Sequence, residues 1–178
     1  MRQSILRYFI SLLLVSLCIC SATSIFIISG SMKEDSEREM MYSVKLIEYN
    51  LDYSGDLNKQ IETLNPLAFS DDTRISVIDE KGKVLADTYK DDISSNHIKR
   101  EEVQEALHSS NHEGYAMRRS ETTNQTLLYA AYYKDTHIIR LSIPYSGVWG
   151  YFPELAPAFA ISILISILFS YIVARKLS

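Results

Sequence analysis

The apolar positions of this chain follow two patterns, and the contrast divides it into three parts. At the ends they are continuous: Tyr8 to Ile28, "YFISLLLVSLCICSATSIFII", runs 21 residues without a charge, and Leu155 to Ala174, "LAPAFAISILISILFSYIVA", runs 20. As helices rising about 1.5 Å per residue, both would cross a hydrocarbon layer of about 30 Å. Between them, apolar residues alternate with polar ones or return at helical spacing, as in a folded domain. The expected parts are residues 1–7, a first membrane helix 8–28, a domain 29–154, a second membrane helix 155–174 and a short tail 175–178.

The stretch after the first run, "SMKEDSEREMMYSVKLIEYNLDYS", contains neither Pro nor Gly and continues as a long helix. Met40, Val44, Ile47 and Leu51 recur at spacings of four, three and four, close to a coiled-coil seam. The stripe serves two ends in this reading, packing on its own domain and pairing with a second copy as a dimer and signalling helix. "DLNKQIETLNP" reads as a short helix ended by Pro66. Arg74–Asp79 and Lys83–Thr88 are β-rich runs joined by "EKG", where Gly82 supplies the positive φ of a tight hairpin. Ile75 and Val77 face one side and Arg74, Ser76 and Ile78 the other, with Val84 and Ala86 continuing the apolar side.

A short helix "EEVQEALHSS" follows, with Glu101 and Glu102 suited to its first turn and Val103, Ala106 and Leu107 as its apolar side. Three more strands, "YAMRRS", "TLLYAAYYK" and "HIIRLSIP", close the domain. In the last of them Ile139, Leu141 and Ile143 alternate with Ile138, Arg140 and Ser142. The expected class is α+β: two membrane helices flanking a domain with a five-stranded antiparallel sheet, helices on one face and a single modest core.

Charge orients this architecture. Arg2 and Arg7 precede the first apolar run and Arg175 and Lys176 follow the second, so the positive-inside rule places both termini in the cytoplasm and the middle outside, in a multi-pass protein of the cell membrane. The other 14 basic residues and all 22 acidic ones lie between the runs, giving a net charge of −8 there. That balance argues against nucleic acid and against docking on an anionic membrane surface. A cleaved signal peptide is the competing reading of the first run, although its apolar stretch exceeds the usual 7 to 15 residues, about half a membrane span. Cys18 and Cys20 lie within that run, so the external part has no cysteine and folds without disulfides.

The succession "RISVIDEKGKVLADT", "NHIKREEVQEAL", "YAMRRSETTNQTLLYAAYYK" and "IIRLSIP" resembles the extracytoplasmic sensor of phosphate-regulon-type sensor histidine kinases, a PAS-like or single-Cache module. The resemblance runs from Arg74 onward, about two thirds of the chain, and is carried by Asn96, His97, Arg100, Glu102, Val103 and Leu107, with Glu101 where the family often has Pro. It implies a homodimeric signal-input region that moves helices in the membrane in response to an extracellular ligand or envelope signal. In that family the chain continues into a HAMP linker, which "ARKLS" resembles, then a histidine-bearing helix and an ATP-binding domain. Phosphorelay to a response regulator, with ATP and Mg, belongs to those later parts. This chain shows no Gly-rich phosphate loop and no cytoplasmic histidine, so it is expected to hold no catalytic residue and no cofactor.

The rival outputs are a chemoreceptor, a cyclic-dinucleotide enzyme, or a stand-alone two-span protein that regulates a partner. A sensor pocket in such a fold lies between the sheet and the loops after the first hairpin. Arg118, Ser120, Tyr129, Tyr132 and Arg140 are the candidates to line it, because arginines grip carboxylate or phosphate and tyrosines give apolar walls with a polar tip. The alternative for Arg118 and Arg140 is pairing across the sheet. His97 with Arg100 reads as a loop-to-helix cap. His108 and His112 with Glu113 would surround a metal only if the helix ran that far, and "SSN" with Gly114 argues that it ends first, so no metal site is expected. "NQT" at Asn124 fits the glycosylation pattern by chance.

Overall fold

The structure is a computed structural model that describes residues 2–65, 72–89, 96–120 and 124–177. Pro66, Ser70, Asp71 and residues 90–95 lie outside them. The chain separates into two compact units, residues 1–32 with 146–178 and residues 33–145.

The first unit is helical. Helix α1, Arg2–Asn50, begins in it, and the second apolar run lies in the last helix, Phe152–Leu177, entered through a 3-10 turn at Gly147–Tyr151. Phe26 is 81% exposed and Leu164 66%, so large apolar groups stand outward as they do on helices solvated by hydrocarbon. Two hydroxyls in these runs are satisfied within their own helices. Thr23 Oγ1 donates to the carbonyls of Ile19 and Cys20, and Ser162 Oγ donates to that of Ala158 at 2.9 Å. Among the described residues one helical stretch, Val15–Asn50, is long and apolar enough to cross a membrane. Pro153 and Pro157 lie at the entry to the second apolar run, where the first turn of a helix tolerates proline. Because the helix already starts at Phe152, only Pro153 is there, and Pro157 lies inside, withholding one backbone donor.

The second unit is built on a sheet. After α1 come α2 (Leu57–Leu64), β1 (Arg74–Asp79), β2 (Val84–Asp87), α3 (Glu101–His108), β3 (Glu113–Arg119), β4 (Thr126–Lys134) and β5 (His137–Pro144). The strands form one antiparallel sheet in the order β2-β1-β5-β4-β3, so β1 and β5 lie inside it and are buried on both faces. Asp56 caps α2 through its carboxylate, which accepts from Lys59 N at 3.3 Å. The β1–β2 turn closes on Asp79, whose Oδ1 accepts from the amides of Lys81 and Lys83. Gly82 has φ +83° there, and a Cβ would strike Ile98 and Asn96.

The helices cover both faces of this sheet, not one. Met40, Val44 and Ile47 of α1 and Ile61 of α2 pack on Ile75, Val77, Leu128, Ala130, Ile139, Leu141 and Ile143. On the other face Val103 and Ala106 of α3 pack on Ile78, Val84, Ala131 and Ile138. The stripe of α1 is therefore spent on its own domain: Met40, Val44 and Ile47 are fully buried, each worth roughly 1.5–3 kcal/mol, and Leu51 is half-buried against the same core. Val84 and Ala86 do not share a face, because a register shift between Val77 and Ile78 opposes Ala86 to Val77 but Val84 to Ile78.

Tyr53, after α1, packs against the first core and stacks on His137 with ring centroids 4.1 Å apart. Burial, helped by Glu48 and Asp135, pushes its phenol up to about 12. An unfolded phenol titrates near 10, so the preference for the neutral form stabilises the fold below pH ~10 and is lost as pH climbs toward ~12. Tyr53→Phe should therefore flatten the fall of the thermal midpoint in that alkaline window, measured against the wild type at the same pH values.

Candidate functional site

Helix α3 is only eight residues long and covers half of its sheet face. Beyond it the same face is polar. The registers Arg74↔Ser142, Ser76↔Arg140, Ser76↔Asp87 and Tyr129↔Ser142 put Arg74, Ser76, Asp87, Arg140, Ser142 and Tyr129 side by side. Opposite Tyr129 stands Ala116, and two residues further along β3 is Arg118.

These side chains form a row of alternating charge. Asp87 is buried and takes two bonds from Arg74 (2.8 and 2.9 Å), one from the hydroxyl of Ser76 (2.8 Å) and one from the amide of Tyr89 (2.8 Å). Ser76 Oγ in turn accepts from Arg140 Nη2 at 2.9 Å. Arg140, 3% exposed, lies 3.5 Å from Glu102 Oε1. Glu102, fully buried, holds Arg118 through two bonds of 2.6 and 3.1 Å. The Arg118 guanidinium lies 3.7 Å from the Tyr129 ring centre, and that of Arg140 lies 5.7 Å from it. Burial pushes the Arg140 pKa down, Glu102 and Asp87 oppose that shift, and Arg74 reinforces it. The guanidinium nonetheless remains charged at physiological pH.

Of the five candidate pocket residues, Arg118, Tyr129 and Arg140 meet in this row. Ser120 is buried just past the end of β3, its amide donating to the carbonyl of Gln125 at 2.7 Å. Tyr132 lies on the opposite face, packed on the α1 core with Lys45 over its ring. Arg140 pairs across the sheet with Ser76, and the carboxylate between it and Arg118 comes from α3.

The family-motif residues divide between two tasks. Asn96 clamps the β1–β2 turn, donating to the carbonyl of Lys81 and accepting from the amide of Ile98, both at 2.8 Å. His97, fully buried, bonds Gly82 O through its amide at 2.7 Å. Arg100 is the N-cap residue of α3, its carbonyl accepting from Val103 and Gln104. Only Glu102 reaches the charged row. Arg74, Ser76, Asp87 and Ser142 were not foreseen as site residues. Their signal lay in the hairpin register, which opposes polar residues of β1 to Asp87.

Helix α3 ends at His108, whose Nδ1 is bonded to Gln104 O, and His112 sits in a left-handed turn at φ 59° against the Tyr133 ring. His108 and His112 are thus not on successive turns of one helix, and no group of three metal-ligating side chains occurs among the described residues. Asn124 also has positive φ, 55°, in the β3–β4 turn, where its side chain accepts from Arg119.

No family model matches the chain, and no curated protein matches it in sequence. Among solved structures it is similar to a methyl-accepting chemotaxis protein of Vibrio parahaemolyticus (16% identity, TM-score 0.49), over 68% of this chain and 96% of that one. It is also similar to the ligand-binding domain of the Campylobacter jejuni chemoreceptor Tlp3 in complex with 4-methylisoleucine (17%, TM-score 0.48), over 67% and 55%. A third is the Bacillus subtilis YkuI protein, which has an EAL domain and is in complex with c-di-GMP and calcium (16%, TM-score 0.48), over 72% and 36%. The chain thus spans about a third of the Bacillus protein and about half of the Campylobacter one.

Proposed function

We propose that this chain is the membrane-anchored signal-input region of a transducer. A PAS/Cache-like domain stands outside the cell between two membrane spans and reads a small ligand on the charged half of its sheet. The observation that carries this reading is the sheet face itself, half sealed by α3 and half given to arginines held on the buried carboxylates Asp87 and Glu102 beside Tyr129. A face with a purely structural task would be cheaper to fill with apolar side chains, since buried ion pairs rarely add net stability. The output is that of a sensor histidine kinase, as the family resemblance implies, with a response regulator downstream.

Ligand binding favours one of two conformations of the domain, and the shift reaches the membrane through α1. The transducer is a homodimer. With Met40, Val44 and Ile47 buried at home, its seam is the other side of α1, where Tyr42 (69% exposed), Leu46 and Tyr49 (81% exposed) follow one another at spacings of four and three.

Single cysteines in a chain lacking Cys18 and Cys20 test both halves of the proposal in intact cells. At Tyr42, Leu46 and Tyr49 they should react with a membrane-impermeant maleimide and give crosslinked dimers on oxidation. At Met40, Val44 and Ile47 they should do neither. Labelling only after lysis would overturn the external placement, and no crosslink at any of the three exposed positions would overturn the seam.

A further inference from the structure

The 3-10 turn Gly147–Tyr151 runs directly into the last helix at Phe152, and Gly147 opens it with φ 55°. What the turn presents is aromatic. Trp149, the one tryptophan of the chain, is 69% exposed, and Tyr151 and Phe152 are each more than half exposed. At about three residues per turn, positions 149 and 152 fall on one side, and their ring centroids lie 6.2 Å apart. From Tyr145 to Ala174 the sequence carries a single charge, Glu154. Length then says what such a surface meets. At about 2.0 Å per residue in the turn and about 1.5 Å in the helix, Trp149 and Arg175 stand about 40 Å apart along the axis, the thickness of a bilayer with both headgroup layers, about 40–45 Å. With Arg175 and Lys176 in the inner headgroup layer, the three rings fall in the outer one, where Trp and Tyr are favoured. The outer end of the first apolar run is built differently: Ser29, Gly30 and Ser31 close it, and α1 has no aromatic residue between Phe26 and Tyr42.

We propose that Trp149, Tyr151 and Phe152 form a lipid-binding surface that docks in the outer headgroup layer and fixes the depth of the last helix, leaving α1 as the member whose outer end moves. This rests on the two-span part of the sensor reading above and adds the surface that holds one span and the helix that carries the displacement. The occupant is the bilayer interface and not a protein, because the rings are continuous with the apolar run and stand one headgroup layer above its end. Aromatic groups at that level resist movement in both directions: inward the polar tips of Trp149 and Tyr151 would lose water, and outward the rings would gain it. Serine and glycine at the corresponding level of α1 supply no such resistance.

The test uses the full chain in phosphatidylcholine vesicles, where indole fluorescence reports Trp149 alone. Lipids brominated near the glycerol end of the acyl chain should quench it most, lipids brominated near the middle of the chain less, and acrylamide several-fold less than it quenches free tryptophan. Full acrylamide quenching with none by bromine would put the turn in water and overturn the proposal. Protection from both would mean that a second copy or another protein covers the rings, and would overturn it equally, while strongest quenching by the deeper bromines would overturn the headgroup placement. Leu164→Trp in a Trp149→Phe chain separates this proposal from the reading beneath it. Quenching there by the deeper bromines keeps the second span whatever Trp149 does, and its absence removes the span itself. The roles of the two helices are read from nitroxides at Leu155→Cys and at Gly30→Cys, where a Cβ meets nothing within 4 Å, with Cys18 and Cys20 replaced by alanine. On going from short-chain to long-chain lipids, access of an aqueous relaxant to Gly30→Cys should fall several-fold and access to Leu155→Cys should hold constant. Adding Trp149→Ala and Phe152→Ala should make Leu155→Cys follow thickness as well. Thickness dependence at Leu155→Cys with the rings in place would overturn the anchor, and constancy at Gly30→Cys would overturn α1 as the moving member.

Discussion

Replacing Glu102 by alanine should lower the stability of the folded domain by about 3–5 kcal/mol at neutral pH. The mutation removes the carboxylate from between two arginines, and Arg140 has almost no route to water. Its guanidinium keeps Ser76 Oγ as a partner at 2.9 Å but loses its nearest negative charge. Arg118 loses two charge-assisted bonds and keeps the Tyr129 ring and partial access to solvent. The deficit therefore falls mainly on Arg140, and adding Arg118→Met should recover only a little. The measurement is the urea midpoint of the full chain in micelles. Glu34→Gln, whose partner Arg38 is at the surface 3.5 Å away, should leave the midpoint unmoved, because exposed pairs contribute little. A midpoint equally indifferent to Glu102→Ala would mean that the charged row is solvated and that Glu102 compensates nothing.

The alternation of side chains along each strand was legible in the sequence, since a period of two assigns faces without reference to partners. Ile75 and Val77 parted from Arg74, Ser76 and Ile78 as expected, and β5 occupies the run expected for it. What alternation does not supply is the identity of whatever covers a face. The apolar side of α3, Val103, Ala106 and Leu107, was visible, but only the fold places it opposite α1. Glu102 was visible as a first-turn residue favoured by the helix dipole, and that local reason concealed its longer-range partner 16 residues ahead. Tyr132 was grouped with Tyr129 by residue type, yet an odd separation along one strand puts the two on opposite faces. The re-phasing of Val84 was hidden because the register shift depends on how β1 meets its partner strand, not on either strand alone. The stripe of α1 had two readings in the sequence, and the packing of Met40, Val44 and Ile47 uses it up within the domain.

Gly114→Ala should reproduce much of the Glu102→Ala defect without touching a charge. Gly114, the second residue of β3, lies against α3, and a Cβ there would run into the carbonyl oxygen of Glu102 and the amide of Ala106, both backbone atoms that no rotamer change can move. Its φ is not in the left-handed region, so the cost is one of space and not of backbone conformation. Helix α3 must lift to admit the methyl group, at an overpacking cost of about 1–3 kcal/mol. Lifting also stretches the bond from Tyr115 N to Glu105 Oε2, now 2.6 Å, and the Arg118 grip on Glu102. Both substitutions then break one clamp, so the double variant should fall short of the summed losses by about 1 kcal/mol or more, where distant sites would add. Hydrogen exchange should show the same amides of α3 opening in each single variant. The clamp also bears on transmission, because Glu113 at the start of β3 holds Lys45 of α1 at 2.5 Å. A β3 released from α3 at Arg118 is still tied to α1 at Glu113, so the strand joins the charged row to α1. Full additivity of the two losses would separate the helix contact from the ion grip and leave β3 with no part in coupling them.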